Sequence, residues 1–227
     1  MTLSVYWILF IGIALISWGV SASLERKFKK YAETPIRMTG REVAQKMLRD
    51  NGIMDVKITC IAGQLTDHYN PVDKTVNLSK EVYEGANVSA AAVAAHECGH
   101  ALQHDQEYAP LKLRSALVPV VSFSSKWMTW ILLIGMLTIE TFPHLMLAGI
   151  ILFATTTLFA FVTLPVEVTA SQRAVNWLRE AGITDSETTP MASDALHAAA
   201  YTYVVAALSS LATLIYYILI FLGGRRD

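Results

Sequence analysis

The sequence predicts a mainly α-helical, polytopic membrane protein: about four transmembrane helices carrying a small α+β unit. Three observations predict it. Of 227 residues 53% are hydrophobic and only 16% charged, and the mean hydropathy is +0.40, well to the apolar side of an ordinary soluble chain. Four stretches, residues 3–22, about 117–141, 145–164 and 198–222, are long and apolar enough to cross a hydrocarbon core of about 30 Å. Between the first two lie some ninety residues with helix caps, turn signals and alternating strand patterns.

The first stretch ends in Val20-Ser21-Ala22, which looks like a signal-peptide cleavage site. No lysine or arginine precedes it, whereas Arg26, Lys27, Lys29, Lys30, Arg37 and Arg41 follow. That is the arrangement of a retained anchor over residues 1–23 with a cytoplasmic first loop. Four spans then put both termini outside, which leaves Arg225 and Arg226 of the tail on the disfavoured side. The larger cluster beside the first span decides the orientation, so the expectation is an integral, multi-pass cell-membrane protein with its site on the cytoplasmic side.

Residues 24–115 read as the α+β unit. Thr39-Gly40-Arg41-Glu42 is a capping box, Val43, Met47 and Leu48 share a helical face, and Asn51-Gly52 supplies the stop. Residues 56–61 and 75–79 alternate or run β-branched, with turn chemistry at Gly63-Gln64 and Asn70-Pro71-Val72-Asp73, predicting two or three antiparallel strands. The last of them either offers an exposed edge to an extended peptide or forms an ordinary hairpin over the next helix. Asn87 then caps an alanine-rich helix that continues through His104.

Residues 116–165 form a transmembrane hairpin. Pro119 and Lys126 interrupt its first arm, so residues 112–125 could instead approach the membrane as an interfacial helix. Its second arm ends at Pro165, and a separate helix over 166–181 is stopped by Gly182. After a polar linker, Thr189-Pro190 opens the last helix. Residues 166–197 thus join the hairpin to a final span and tail, 198–227.

The alanine-rich helix carries His96-Glu97-Cys98-Gly99-His100. In this HExxH pattern histidines four apart project from one helical face and can reach a single zinc, while the glutamate points toward the water that metal holds. A catalytic zinc needs a third protein ligand. Gln103 and Gln106 stand where a metzincin has glycine and histidine, which excludes that class. His104 lies two turns beyond His96, roughly 12 Å, too far to share one ion, and is assigned to a surface role or to support of a ligand. Glu140 and His144 flank the hairpin turn, at the opposite membrane face. Glu167, two residues past Pro165 and followed by small residues suited to close helix approach, is the leading third ligand, with His197, Asp194 and Glu180 as alternatives.

Cys60 and Cys98 read as small packed side chains, neither a disulfide framework nor a thiolate site. A net charge of −1 suggests no nucleic-acid partner, and the basic cluster after the first span is topogenic or faces membrane lipids. A transporter would carry several ionisable groups inside its spans, and Lys126, near one end, is the only clear example in the sequence, which weakens that reading.

The HExxH motif followed by a helix carrying Glu167-Val168-Thr169-Ala170 resembles the gluzincins, in particular membrane-embedded HtpX-type proteases. More narrowly, residues 96–104, Tyr108-Ala109-Pro110-Leu111, Arg114, Leu117-Val118-Pro119, Pro165-Val166-Glu167 and Ala170-Ser171 resemble the YugP family of neutral zinc metallopeptidases, a likeness that runs nearly the whole chain through Tyr201-Thr202-Tyr203-Val204. The resemblance implies a zincin-like (gluzincin) catalytic unit in which His96, His100 and Glu167 bind Zn2+ and Glu97 is the base. Many gluzincins place an aspartate four residues after the ligand glutamate to orient a histidine. Ser171 stands there instead, able to accept a hydrogen bond from an imidazole but adding no charge. Tyr203, His197 and Arg173 are the candidates for a second oxyanion donor. The expected activity is that of a membrane-integrated zinc metalloendopeptidase cleaving a protein or peptide substrate near the membrane surface. The alternative is a zinc-binding, non-catalytic membrane scaffold or binding protein.

Overall fold

The computed structural model describes residues 3–223, with side chains from Trp7 onward; Arg225 and Arg226 fall outside the described residues. The order is α1 (Leu3–Ala32), α2 (Gly40–Asp50), β1 (Lys57–Ile61), β2 (His68–Asn70), β3 (Thr75–Ser79), α3 (Lys80–Glu84), α4 (Val88–Asp105), α5 (Ala109–Leu137), α6 (Pro143–Glu180) and α7 (Thr188–Gly223). The protein is mainly helical, and α1, α5, α6 and α7 are each long and apolar enough to cross a membrane. The chain divides into two compact units. One comprises Val20–Lys112 and Pro165–Tyr201; the other comprises the chain up to Gly19, Leu113–Leu164 and the chain from Thr202 on.

In the first unit α2 begins where the capping box predicts. The Glu42 amide donates to Thr39 Oγ1 at 3.3 Å and the Thr39 amide to Glu42 Oε2 at 2.8 Å, satisfying two otherwise orphaned amides. It ends at Asn51, with Gly52 in the left-handed region (φ +75°) that a side chain disfavours. The buried face of α2, Val43, Ala44, Met47 and Leu48, shares one core with Ala91, Ala94, Ala95 and Cys98 of α4. The Cys98 thiol donates to the Ala44 carbonyl at 3.6 Å. Asn87 caps α4, its Oδ1 accepting from the Ala90 amide at 2.9 Å. Ala174 and Leu178 of α6 and Ala192, Ala195 and Leu196 of α7 complete this core.

The sheet departs from the expected antiparallel set. Its order is β1-β3-β2, with β1 parallel and β2 antiparallel to β3. Asn70 Oδ1 accepts from the Val72 and Asp73 amides, which makes β2–β3 a local hairpin. The chain between β1 and β2 therefore crosses over, and β1 takes the far side of β3. The last strand is thus the sheet's centre, and both its edges are paired instead of free for a peptide. Val76 and Leu78 of β3 enter the core, while Asn77 faces out between Thr59 and His68. Cys60, expected to pack, is exposed on β1.

Proline does not break the long helices. Pro119 sits inside α5 and Pro165 inside α6, so the expected stop at 165 and restart at 166 are one uninterrupted helix. A proline forfeits a single N–H bond and its φ is already helical, a cost that the rest of a 38-residue helix carries. The start of α7 also shifts. Asp185 Oδ1 accepts from the amides of Glu187 and Thr188, and helix begins at Thr188, before the expected Thr189-Pro190.

In the second unit the α5–α6 hairpin packs through glycines. A Cβ at Gly135 would lie 2.7 Å from the Met146 backbone, and one at Gly149 2.8 Å from the Leu132 side chain. Hydroxyls connect the helices, Thr155 donating to Ser124 at 2.9 Å and Thr157 meeting Ser210 at 2.7 Å. In the first unit, Met47 has no solvent exposure. Met47→Ala is therefore expected to cost about 2–5 kcal/mol by opening a cavity between α2 and α4, measured as a lower denaturation midpoint.

Candidate metal centre

The first unit holds two helical segments in unusually close contact. At Gly99, inside the HExxH motif, an added Cβ would lie 2.8 Å from the Ala170 carbonyl oxygen and 3.1 Å from its Cα. Backbone thus meets backbone. Ala170 and Ala174 on α6 are fully buried, the small-residue face that close approach requires. Three side chains converge beside this crossing. His96 Nε2 is 3.3 Å and His100 Nε2 3.6 Å from Glu167 Oε2, and one donor atom from each of the three residues lies within 4.8 Å of the others. The imidazoles stand edge-to-face, 83° between planes.

The donor set fits zinc. Ligands about 2.1 Å from a tetrahedral ion are about 3.4 Å apart, close to both histidine–glutamate separations. Each histidine is also held from behind. Ser171 Oγ lies 3.1 Å from His96 Nδ1, and Gln103 Oε1 3.0 Å from His100 Nδ1. Both Nε2 atoms therefore remain on the side of Glu167, which is 2% exposed. Burial alone would push the His100 pKa down. The Glu167 carboxylate, as acceptor for the protonated ring, and the charges of Glu97 and Glu167 outweigh it and raise the value above that of an ordinary histidine. Glu97 is buried, and its carboxylate accepts no hydrogen bond from another described residue.

A family model described as "Putative neutral zinc metallopeptidase" matches residues 6–222. The chain belongs to that family. It is also 41% identical over 225 residues to the "Putative membrane protease YugP" of Bacillus subtilis (strain 168), covering 96% of this chain and 99% of that protein. No solved structure matches it.

Among the described residues of this metallopeptidase family member, no further histidine, cysteine or carboxylate joins the cluster. Asp194 accepts from Lys27 Nζ at 2.7 Å and from the Tyr31 hydroxyl at 2.6 Å, tying α7 to α1; these partners hold its carboxyl below the usual range. Glu180 lies at the exposed end of α6 beside Arg179. His197 is exposed and pairs with Ser193 at 3.3 Å. Arg173 donates to Gln106 Oε1 at 2.7 Å and stacks over Tyr108. Tyr203 belongs to the other unit. His104 Nδ1 meets the Tyr69 hydroxyl at 2.8 Å on the side of β2. The residue that sequence reasoning missed is Gln103, which entered only as the substitute for a metzincin glycine. Its spacing, three residues past His100 on the same helix face, was the available signal.

Gly99→Ala is expected to force α4 and α6 apart, costing about 1–3 kcal/mol and lowering bound zinc, read by thermal melting and metal analysis. Asp194→Asn removes an exposed pairing worth about 0–1 kcal/mol and should leave zinc per chain unchanged.

Proposed function

We propose that this family member is a membrane-integrated zinc metalloendopeptidase that hydrolyses protein or peptide substrates near the membrane surface. The observation that carries the reading is the convergence of two imidazole nitrogens from α4 and one carboxylate from α6, residues far apart in sequence, at zinc-ligand spacing. The relative's printed description as a membrane protease and the four apolar helices support the membrane setting.

His96, His100 and Glu167 hold the zinc, a gluzincin-like set. Three protein ligands are the number found in catalytic sites, where structural sites are closed by four. Zinc bound there supplies Lewis acidity toward water and the scissile carbonyl. Glu97 is the general base: it takes the proton of the attacking water and delivers it to the leaving amine. Ser171 orients His96 from Nδ1, and the second oxyanion donor comes from His197 or Arg173, which lie in the same unit as the three ligands. In this reading the protein is multi-pass with its catalytic unit on the cytoplasmic side near membrane lipid, an orientation supported by the basic residues that follow the first apolar segment (Arg26, Lys27, Lys29 and Lys30).

Glu97→Gln is expected to keep one zinc per chain and to lose cleavage of an unfolded reporter protein by roughly 10²–10⁴-fold. Glu167→Ala is expected to lose the metal. Normal cleavage by Glu97→Gln overturns the mechanism, and zinc bound by a wild-type protein that cleaves nothing favours the non-catalytic scaffold.

A further inference from the structure

Gln103 is completely buried, and a buried amide is tolerated only when its donor and acceptor are both used. Its Nε2 lies 2.7 Å from the Val166 carbonyl oxygen and its Oε1 3.0 Å from His100 Nδ1. The Val166 carbonyl can only accept, so the amide group that faces it is the NH2. The group left facing His100 is then the carbonyl oxygen, which also can only accept. A neutral His100 must therefore carry its proton on Nδ1, which leaves the lone pair on Nε2, the nitrogen 3.6 Å from Glu167. The hydrogen-bond sequence from the α6 backbone to the imidazole has one consistent polarity.

Val166 immediately precedes Glu167, so the same amide also anchors the backbone that carries the third donor. His96 has no such constraint, because Ser171 beside its Nδ1 can donate or accept. The two histidines of one motif are thus backed by groups of different kinds, a fixed acceptor and an adaptable hydroxyl.

We propose that Gln103 is the positioning residue of the metal centre: it holds His100 in the Nδ1–H tautomer and ties that ring to the α6 backbone at Val166–Glu167, coupling the ligands of two helices through one side chain. The inference rests on the three-ligand site proposed above.

The test uses the full chain in detergent, with zinc affinity measured by chelator competition and histidine tautomers by 15N NMR of the metal-free protein at a pH high enough to leave His100 neutral, the His100 signals being those lost in His100→Asn. Gln103→Met removes both hydrogen bonds at similar volume and is expected to weaken zinc binding about 10–100-fold and to release His100 from the pure Nδ1–H state. Gln103→Glu keeps the acceptor for His100 and loses the donor to Val166. It should retain the Nδ1–H signature while still binding zinc more weakly than wild type, a separation that general loss of packing does not produce. Should Gln103→Met fail to fold, Gln103→Glu decides on the same two readouts. Zinc affinity within threefold of wild type, or a His100 tautomer unchanged in Gln103→Met or lost in Gln103→Glu, overturns the proposal. Failure of the wild-type chain to bind zinc, or retention of zinc by Glu167→Ala, overturns instead the ligand assignment beneath it.

Discussion

The close crossing of α4 and α6 at Gly99 and Ala170 is the constraint on which the rest depends. Ligands from two helices can share an ion of about 2.1 Å bond length only if the helices come together far more tightly than side-chain packing ordinarily allows. Glycine at the centre of the motif removes the one atom that would collide with the Ala170 carbonyl. The alanines on either side of the motif serve the same end, letting α2 and α7 close around α4 without large side chains to accommodate. The alanine richness of this helix is thus a packing requirement as much as a matter of helix propensity.

That tight core has to contain polar groups. Glu97, His100, Gln103, Glu167 and Ser171 are all buried, and an unpaired charge or amide in such a place costs several kcal/mol. For His100, Gln103 and Ser171 the cost is met by hydrogen bonds within the cluster or to the α6 backbone, whereas Glu97 has no such partner among the described residues. Gln103 bridges an imidazole and a backbone carbonyl, Ser171 backs the other imidazole, and Glu167 sits against both rings. Such a network is all-or-none in character, because removing one member leaves its partners buried and unsatisfied.

Much of this was legible in the sequence, because the signals were local. The capping box at Thr39, the glycine at 52, the Asn87 cap and the i, i+4 histidines each act within a turn or two of chain. The convergence of Glu167 with the two histidines was reachable because a catalytic zinc would need a third ligand and small residues follow this glutamate. The direction of β1 was not legible: an alternating pattern identifies a strand and its inner face but carries no information about which neighbour it joins or in which sense. Pro165 misled for a related reason, since the local preference against proline in helices is smaller than the packing of the long helix around it. Gln103 was overlooked despite its i, i+3 spacing from His100, because glutamine usually signifies surface and only burial reveals its two partners.

Cys98 shows what the same geometry excludes. It stands between Glu97 and Gly99, one peptide unit from the proposed general base, and a thiolate there would be a soft ligand with high affinity for copper(I) as well as zinc. It lies instead on the α2 side of the helix, its hydrogen donated to Ala44, and burial, assisted by the Glu97 charge, pushes its pKa far up. The sulfur stays protonated, poorly nucleophilic and out of reach of oxidants that act on thiolates. Among the described residues the candidate centre consequently presents only nitrogen and oxygen donors, so a metal held there would be selected by imidazole and carboxylate chemistry, and a redox-active element inside the motif is rendered inert by the direction in which the helix turns it.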